Sequence, residues 1–464
     1  MQLNTFIEKS LEEYWKDLAK VYGSKTFKSK QAFERARNVL PGGVTYHIRF
    51  LKPYPIFVEK AKGSRVWDLD GNEYDDYWMG HGAHILGHAP EFVVKAVSEI
   101  SKNGTHFGYE NLYALEYAEF LQKVVPNLQM LRFTNSGTEA NMYASRLARA
   151  YTKRKYIIKM EGGWHGGYDA LHVGVLPPFK GPESLGLPED FIKYTIVVPY
   201  NDIESLEKAL KNRDVAAIFI EPVIGAGGCI APKKEYLKEV RKLANEYDTL
   251  LVFDEVITGF RLALGGGQEF FNVDADLVVL GKIVGGGYPG AGVFGGKAEI
   301  MELLDHMKYP KARERSFHGG TFAGNPITII AGYTLIKYLH QNRHLYEEAN
   351  NLWGWVSREL DKLCEEYSRM CWITGAGTMI GIHFTYEKPE KVSDAYAKRW
   401  SEKILEVMSI YMRNRGILYL TEHMAHLLPS LIHTKEQAMK FIEVFKDFLE
   451  EVRKRIPIGK ILKR

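Results

Sequence analysis

Three short segments of the 464-residue sequence carry side chains whose types and spacing suit chemistry on a small molecule. In Val252-Phe253-Asp254-Glu255-Val256, two acids close an apolar, strand-forming run, where open α/β sheets place ligand-binding groups. A buried acid needs a cationic partner to stay charged. A protonated pyridine nitrogen is such a partner, and a structural ion pair is another. Leu280-Gly281-Lys282-Ile283-Val284 ends a second apolar run and leads into Gly285-Gly286-Gly287-Tyr288-Pro289-Gly290. A lysine in apolar surroundings has a lowered pKa and serves as a nucleophile toward an aldehyde, whereas one whose stem reaches water is a surface residue. The third segment, Phe133 to Ala140, leaves a strand, turns on small residues and enters a helix. Free N–H groups there, with the Ser136 or Thr138 hydroxyl, would cradle a phosphate; the same residues also make an ordinary helix cap, with Glu139 in the first turn. Neither this turn nor the glycine run at 285–287 has the strand–GxGxxG–helix order, which argues against a nicotinamide dehydrogenase.

These segments need a scaffold, and the middle of the chain supplies an α/β one. Between about Leu131 and Phe294, β-rich runs alternate with helical patterns, which predicts a mostly parallel sheet flanked by helices. The expected strands are Met130–Thr134, Tyr156–Lys159, Thr195–Pro199, Ala216–Ile220, Leu250–Asp254 and Leu277–Leu280. Their apolar runs lack clean alternation, as expected of strands buried on both faces. Helices are predicted over Ile203–Lys211 and Lys234–Tyr247, the latter aligning Leu237, Val240 and Leu243. Upstream, Asp70-Gly71 separates VWDLD from NEYDDYW as in a hairpin. Downstream of about Gly332 the pattern returns to long amphipathic helices with a few short strands. The expected organisation is an N-terminal segment over 1–75, a large domain over 76–335 and a smaller α+β lobe completed by 336–464.

Composition bounds the function. A net charge of +4, with 45% hydrophobic and 25% charged residues, describes an ordinary globular chain. It implies no nucleic-acid or membrane partner, and the basic tail from Lys454 and Arg455 through Lys460, Lys463 and Arg464 reads as a solvated end. The cysteines, Cys229, Cys364 and Cys371, lack the spacing of a zinc or redox site and read as buried small residues in a reducing, cytoplasmic setting. No metal site is expected. The N-terminal stretch is amphipathic and charged, without an apolar signal core.

Together the segments are specific. NSGTEA at 135–140, GGWHGG at 162–167, EPV at 221–223, FDEVITGFR at 253–261, LGKIVGGGYPG at 280–290 and GGTFAGNP at 319–326 occur in the order of the class III pyridoxal-phosphate aminotransferases, which the sequence resembles from about Pro41 to its last helices. The resemblance implies the fold-type-I architecture and pyridoxal 5'-phosphate as cofactor. It implies that Lys282 joins the cofactor as a Schiff base and moves the substrate proton, and that Asp254 pairs with the pyridine nitrogen. Val256 and Trp164 would lie on the two ring faces, and Ser136, Gly137 and Thr138 at the phosphate. His165 would contact the ring or fix its loop. Thr321 matches a threonine that reaches the phosphate of a partner subunit, so a homodimer with shared sites is implied, acting on a small amino acid and oxo acid.

Within the family the chain resembles the glutamate-1-semialdehyde aminomutase subgroup. Pro41-Gly42-Gly43-Val44 followed by Arg49 is similar to its substrate segment, where the arginine binds a carboxylate, a task suited to a guanidinium fork. Ser184–Pro188 resembles its mobile loop. Departures occur at Tyr46, at Met79-Gly80-His81-Gly82, at Ala226 and near Ala425, where a glutamate that retains the mutase intermediate is missing. Tyr46, His47, His81 and Tyr109 would line an aromatic, partly polar pocket. The expected activity is therefore transamination between an amino acid and a 2-oxo acid, with the aminomutase or an amino-acid racemase as the alternative.

Overall fold

The structure, a computed structural model, describes residues 2–211, 214–421 and 423–457, with side chains from residue 5 onward. Lys460, Lys463 and Arg464 of the basic tail lie outside the described residues.

The first strands are β1 (Val58–Lys62), β2 (Arg65–Asp68) and β3 (Glu73–Asp76). β2 and β3 form the expected antiparallel hairpin. Its turn is built by Asp68, whose carboxylate accepts from the backbone N–H groups of Asp70 and Asn72 and from the Tyr74 hydroxyl. Gly71 supplies the left-handed φ of +85° that the turn requires.

The central strands are β4 (Met130–Thr134), β5 (Tyr156–Met160), β6 (Thr195–Val198), β7 (Val215–Ile220), β8 (Leu250–Glu255), β9 (Leu277–Gly281) and β10 (Gly292–Gly296). They make one seven-stranded sheet in the order β4-β10-β9-β8-β7-β5-β6. β7, β8 and β9 are buried at every residue, which explains their continuous apolar runs. β6, β5, β7, β8 and β9 run parallel, whereas β10 is antiparallel to both β4 and β9. β10 is absent from the expected set because GVFGG has little strand propensity. Its glycines answer to close backbone approach: a Cβ on Gly292 would lie 2.2 Å from Thr134 Oγ1, and one on Gly295 would lie 2.4 Å from the Met130 carbonyl. Since β4 is parallel to β9, the carboxyl ends of β4, β5, β7, β8 and β9 share one edge, and all the expected cofactor-binding segments but the one bearing Thr321 emerge there.

The rest of the chain adds β11 (Trp372–Ala376), β12 (Met379–His383), β13 (Ile417–Leu418) and β14 (Ala425–Leu427). β11, β12 and β14 form a three-stranded sheet, and β13 joins β3 in parallel, tying the two ends of the chain together. Helix Gln2–Lys25 packs along helix Lys403–Arg413 through Ile7, Leu11 and Leu18, all buried in the main core. Helix Lys435–Arg455 starts with a reciprocal capping box between Thr434 and Gln437.

The cysteine expectation needs correction. Cys229 is free and buried, but Cys364 and Cys371 form a disulfide. Helix His344–Glu366 ends just after Cys364, and Ser368 and Arg369 take left-handed φ values of 61° and 55°. The chain thus doubles back and brings the two Cα atoms to 5.2 Å, within bridging range. Among the described residues no helix is long and apolar enough to cross a membrane, and no cluster of side chains suits a metal ion.

Candidate active site

Asp254 closes β8 with its side chain buried. Its Oδ2 accepts a 2.8 Å bond from Asn141 Nδ2 and lies 2.7 Å from His165 Nδ1, and its Oδ1 accepts from the Val256 N–H at 3.0 Å. Three donors therefore hold the carboxylate in place. Burial lowers the His165 pKa against the opposing pull of Asp254, so the imidazole is a neutral hydrogen-bonding partner. Among the described residues His165 is the only basic group within ion-pairing distance of Asp254, so no charged side chain is paired with this buried acid.

Lys282 opens the 3-10 turn Lys282–Gly285 at the end of β9, with a left-handed φ of 48°. Burial lowers its pKa; the charges of Asp254 and Glu221 oppose this and that of Arg261 adds to it. Glu221, at the end of β7, accepts from the Trp164 and Gly225 N–H groups, each at 2.9 Å. Burial first, then the charge of Asp254, raises its pKa to about 8.

The segment after β4 resolves the choice between a cap and a cradle by doing part of each. Ser136 is the N-cap of helix Gly137–Thr152, its Oγ accepting from the Glu139 N–H at 3.1 Å. The first-turn N–H groups of Gly137 and Thr138 have no intrahelical acceptor and are free to bind an anion. A Cβ on Gly137 would lie 2.6 Å from Val256 Cγ2, and one on Gly281 3.0 Å from Val256 Cγ1. Val256 thus packs between the helix start and the lysine turn.

The loop containing Trp164 and His165 approaches the same helix start. Its frame is Lys159, fully buried on β5, whose Nζ donates to the carbonyls of Gly163, Leu171 and Val173 at 2.8, 3.1 and 2.7 Å. Gly166 passes so close to Thr138 that a Cβ would lie 2.1 Å from its hydroxyl. The half-buried Trp164 stands edge-on to His172.

Arg49 is exposed on the turn His47–Arg49 and donates to Thr45 Oγ1 at 2.8 Å. The neighbouring Tyr46 ring stacks on His81, with centroids 5.9 Å apart. The turn bearing His81 packs against the turn that begins at Lys282, and burial first, then the charges of Lys282 and Arg49, lowers the His81 pKa to about 4. Tyr109 and Thr321 are both exposed and line a cleft with His106 and Asn325 that includes neither Lys282 nor Asp254. A cavity of about 800 Å³ is lined by Arg37, Val44, His47, Glu406 and Arg413 and includes neither Lys282 nor Asp254.

The sequence pattern of the class-III aminotransferases matches residues 49–449. The chain belongs to that family. It is 39% identical over 425 residues to a glutamate-1-semialdehyde 2,1-aminomutase of Archaeoglobus fulgidus, covering 91% of this chain and 99% of that one. It superposes on an ω-transaminase from Sphaerobacter thermophilus with a TM-score of 0.84 and 31% identity, over 92% and 98% of the two chains. A transaminase with pyridoxal phosphate bound matches at a TM-score of 0.82 and 27% identity, over 92% and 98%. The fold is that of the fold-type-I pyridoxal-phosphate enzymes, and pyridoxal phosphate is the cofactor. The site fits it chemically, offering a buried carboxylate without a permanent cation, a lysine of lowered pKa and a helix start with free N–H groups.

Residues outside the expected set also shape the site. Asn141, one helical turn beyond Gly137, orients Asp254, and its only sequence signal is a polar side chain on an otherwise small and apolar helix face. Lys159 announces itself as a lysine inside the strand YIIKM. Glu221 lies in the quoted EPV motif without an assigned role.

Proposed function

We propose that this enzyme moves an amino group on a small carboxylate-bearing compound, with Lys282 as the covalent attachment and proton-transferring residue. The observation that carries this reading is the buried Asp254 carboxylate, held by Asn141, His165 and the Val256 N–H beside a desolvated lysine. When bound, the cofactor supplies an electron-poor ring that takes up the electron pair left on a substrate carbon. Asp254 would pair with the pyridine nitrogen and keep it protonated. The N–H groups of Gly137 and Thr138, with the Ser136 turn, would hold the phosphate. Val256 and Trp164 would border the ring, and His165 would act through Asp254. Lys282, poised by its lowered pKa, would supply the amine that joins the cofactor and would carry the substrate proton. Arg49 takes the substrate carboxylate. Thr321, exposed on its own chain, would reach the phosphate held by a second copy in a homodimer.

Two finer readings follow. The relative from Archaeoglobus favours an aminomutase, in which both ends of one compound react before release. Similarity to the ω-transaminase favours transfer between two compounds, and so does the absence of a glutamate at Ala425. The weight of sequence identity lies with the aminomutase. The loaded enzyme would be incubated with single amino compounds, glutamate-1-semialdehyde among them, without an oxo acid. Catalytic conversion to a rearranged amino acid supports the mutase. Stoichiometric loss of the cofactor's visible band with release of an oxo compound, reversed by a 2-oxo acid, supports the transaminase. No spectral response to any amine would sink both.

A further inference from the structure

Two loops meet at the carboxyl ends of β5 and β7. One carries Gly162, Trp164 and His165; the other runs from Glu221 through Gly225 and Gly227. Glu221 joins them, since its two oxygens take the Trp164 and Gly225 N–H groups. A second tie comes from far along the sequence. Val392, the first residue of helix Val392–Ala397, is fully buried. A Cβ on Gly162 would lie 2.5 Å from both Val392 γ-carbons, and one on Gly227 would lie 2.7 Å from Val392 Cγ2 and from Ile224 Cγ2. Gly162 also needs glycine for its left-handed φ of 74°. Gly227 has no left-handed φ, so packing alone excludes a side chain there.

The residues around Val392 are anchored to the same region one by one. The Glu390 carbonyl accepts from Asn201 Nδ2 at 2.8 Å, and Lys391 Nζ pairs with Asp202 Oδ2 at 3.0 Å. Ser393 donates to Glu161 Oε1 from its N–H at 3.2 Å and also from its hydroxyl. Glu161 directly precedes Gly162, and Asn201 and Asp202 follow β6. Among the described residues after Gly332, Val392 is the only one buried in the core around Ile158, Met160 and Ile224. Valine suits this place because its branched Cβ leaves little freedom at χ1. Its γ-methyls therefore go where the backbone of residues 390–393 puts them.

We propose that residues 390–393 form a strap by which the C-terminal part of the chain sets these two loops, with Val392 as the positioning residue. Its γ-methyls fix Gly162 relative to Gly227, and with them Trp164 relative to Glu221. A close-packed contact transmits such a constraint, whereas a void lets the neighbours relax. The effect on the loops stands on the contacts alone. The effect on turnover rests on the amino-group reading above, in which Trp164 would border the cofactor ring.

The test compares the wild type with Val392→Ala, Val392→Thr and Val407→Ala. Alanine deletes the two methyls; threonine keeps the shape of the branch but buries a hydroxyl, which lowers stability. Val407, fully buried on helix Lys403–Arg413, controls for an equal truncation elsewhere. Thermal midpoints rank the losses of stability. Hydrogen exchange of the cofactor-free protein reads the loops: Val392→Ala is expected to speed exchange over 161–167 and 225–229 by roughly tenfold, while Val407→Ala and Val392→Thr change it little. With cofactor bound, Val392→Ala should weaken the circular dichroism of the cofactor's visible band and lower kcat/KM by roughly tenfold, and Val392→Thr should retain both. Ser393→Ala, a milder change in the strap, should speed exchange over 161–167 in the same direction and carries the test if Val392→Ala does not fold. Loop exchange no faster in Val392→Ala than in Val407→Ala would overturn the strap. Faster exchange with unchanged dichroism and turnover would overturn the positioning role. A wild type that responds spectrally to no amine, while the loops exchange as expected, fails at the amino-group reading instead.

Discussion

Asp254 Oδ2 and His165 Nδ1 lie 2.7 Å apart, with both side chains withdrawn from water. The imidazole arrives from the loop after β5 and the carboxylate from the end of β8, so the contact joins two loops on the active edge of the sheet. A neutral donor on the acid orients it without cancelling its charge. In the proposed function that charge serves the cofactor nitrogen.

Asp254→Asn keeps the shape and one acceptor but removes that charge. Turnover is expected to fall by roughly a hundredfold to a thousandfold, the scale of losing one preorganised electrostatic contact. Cofactor binding should survive, because the helix-start N–H groups are untouched. Steady-state rates with parallel absorbance spectra check this, and a variant with near-normal turnover would contradict the role of Asp254.

Borohydride reduction tests the lysine. Treated holoenzyme is expected to carry the cofactor's mass on the peptide containing Lys282. Lys282→Ala should bind cofactor but show no such adduct and no turnover. Modification of Lys159 instead would be a surprise, since its three carbonyl acceptors occupy all its protons.

Arg49→Lys tests the carboxylate contact. Lysine keeps the charge but loses the fork, so KM should rise by about tenfold to a hundredfold, equivalent to roughly 1.5–3 kcal/mol, with kcat changed less. A fall in kcat at constant KM would mean that Arg49 acts elsewhere.

Stability should pass through a maximum with pH. Burial pushes His81, His84, His426 and His433 down to about 4 and His383 to about 3. Below their ordinary value of 6.5 the unfolded chain binds protons that the folded chain refuses, so stability falls as pH drops through that window. Burial raises Glu221 to about 8 and Glu255 to about 7. Between 4.5 and these values the folded chain binds more protons, so their contribution is lost as pH rises. The two effects cross at about pH 6 to 7, where the calorimetric midpoint should be highest.

Much of this arrangement was legible in the sequence because it sits at the ends of apolar strands. Lys282 and Asp254 each close such a run, and Ser136 stands where a strand gives way to a helix. The remainder depends on tertiary approach. Asn141 reads as an ordinary polar helix residue until Asp254 is brought beside it, and β10 is hidden by glycines that only the neighbouring strands explain. The Cys364–Cys371 bridge depends on two left-handed residues, Ser368 and Arg369, that carry no glycine or asparagine signal. His81 was visible as a departure from a motif, but its stacking on Tyr46 rests on a turn whose Gly82 carbonyl accepts from Arg261, far away in sequence.

The shared-site homodimer has the most discriminating test. Thr321 is exposed, and its loop is tied to its own chain at Gly319, whose carbonyl accepts from the Tyr143 hydroxyl at 2.6 Å. In the proposed dimer each site combines Lys282 of one copy with Thr321 of the other. Thr321→Glu would place a negative charge against the phosphate and should weaken cofactor retention, as Lys282→Ala removes the covalent attachment. Each homodimer is then expected to be nearly inactive. A hybrid purified through two different tags, one copy bearing each substitution, contains one site with both native residues and should recover about half of the wild-type activity, as one intact active site of two implies. If both residues served the same chain's site, neither site in the hybrid would be intact and no activity would return.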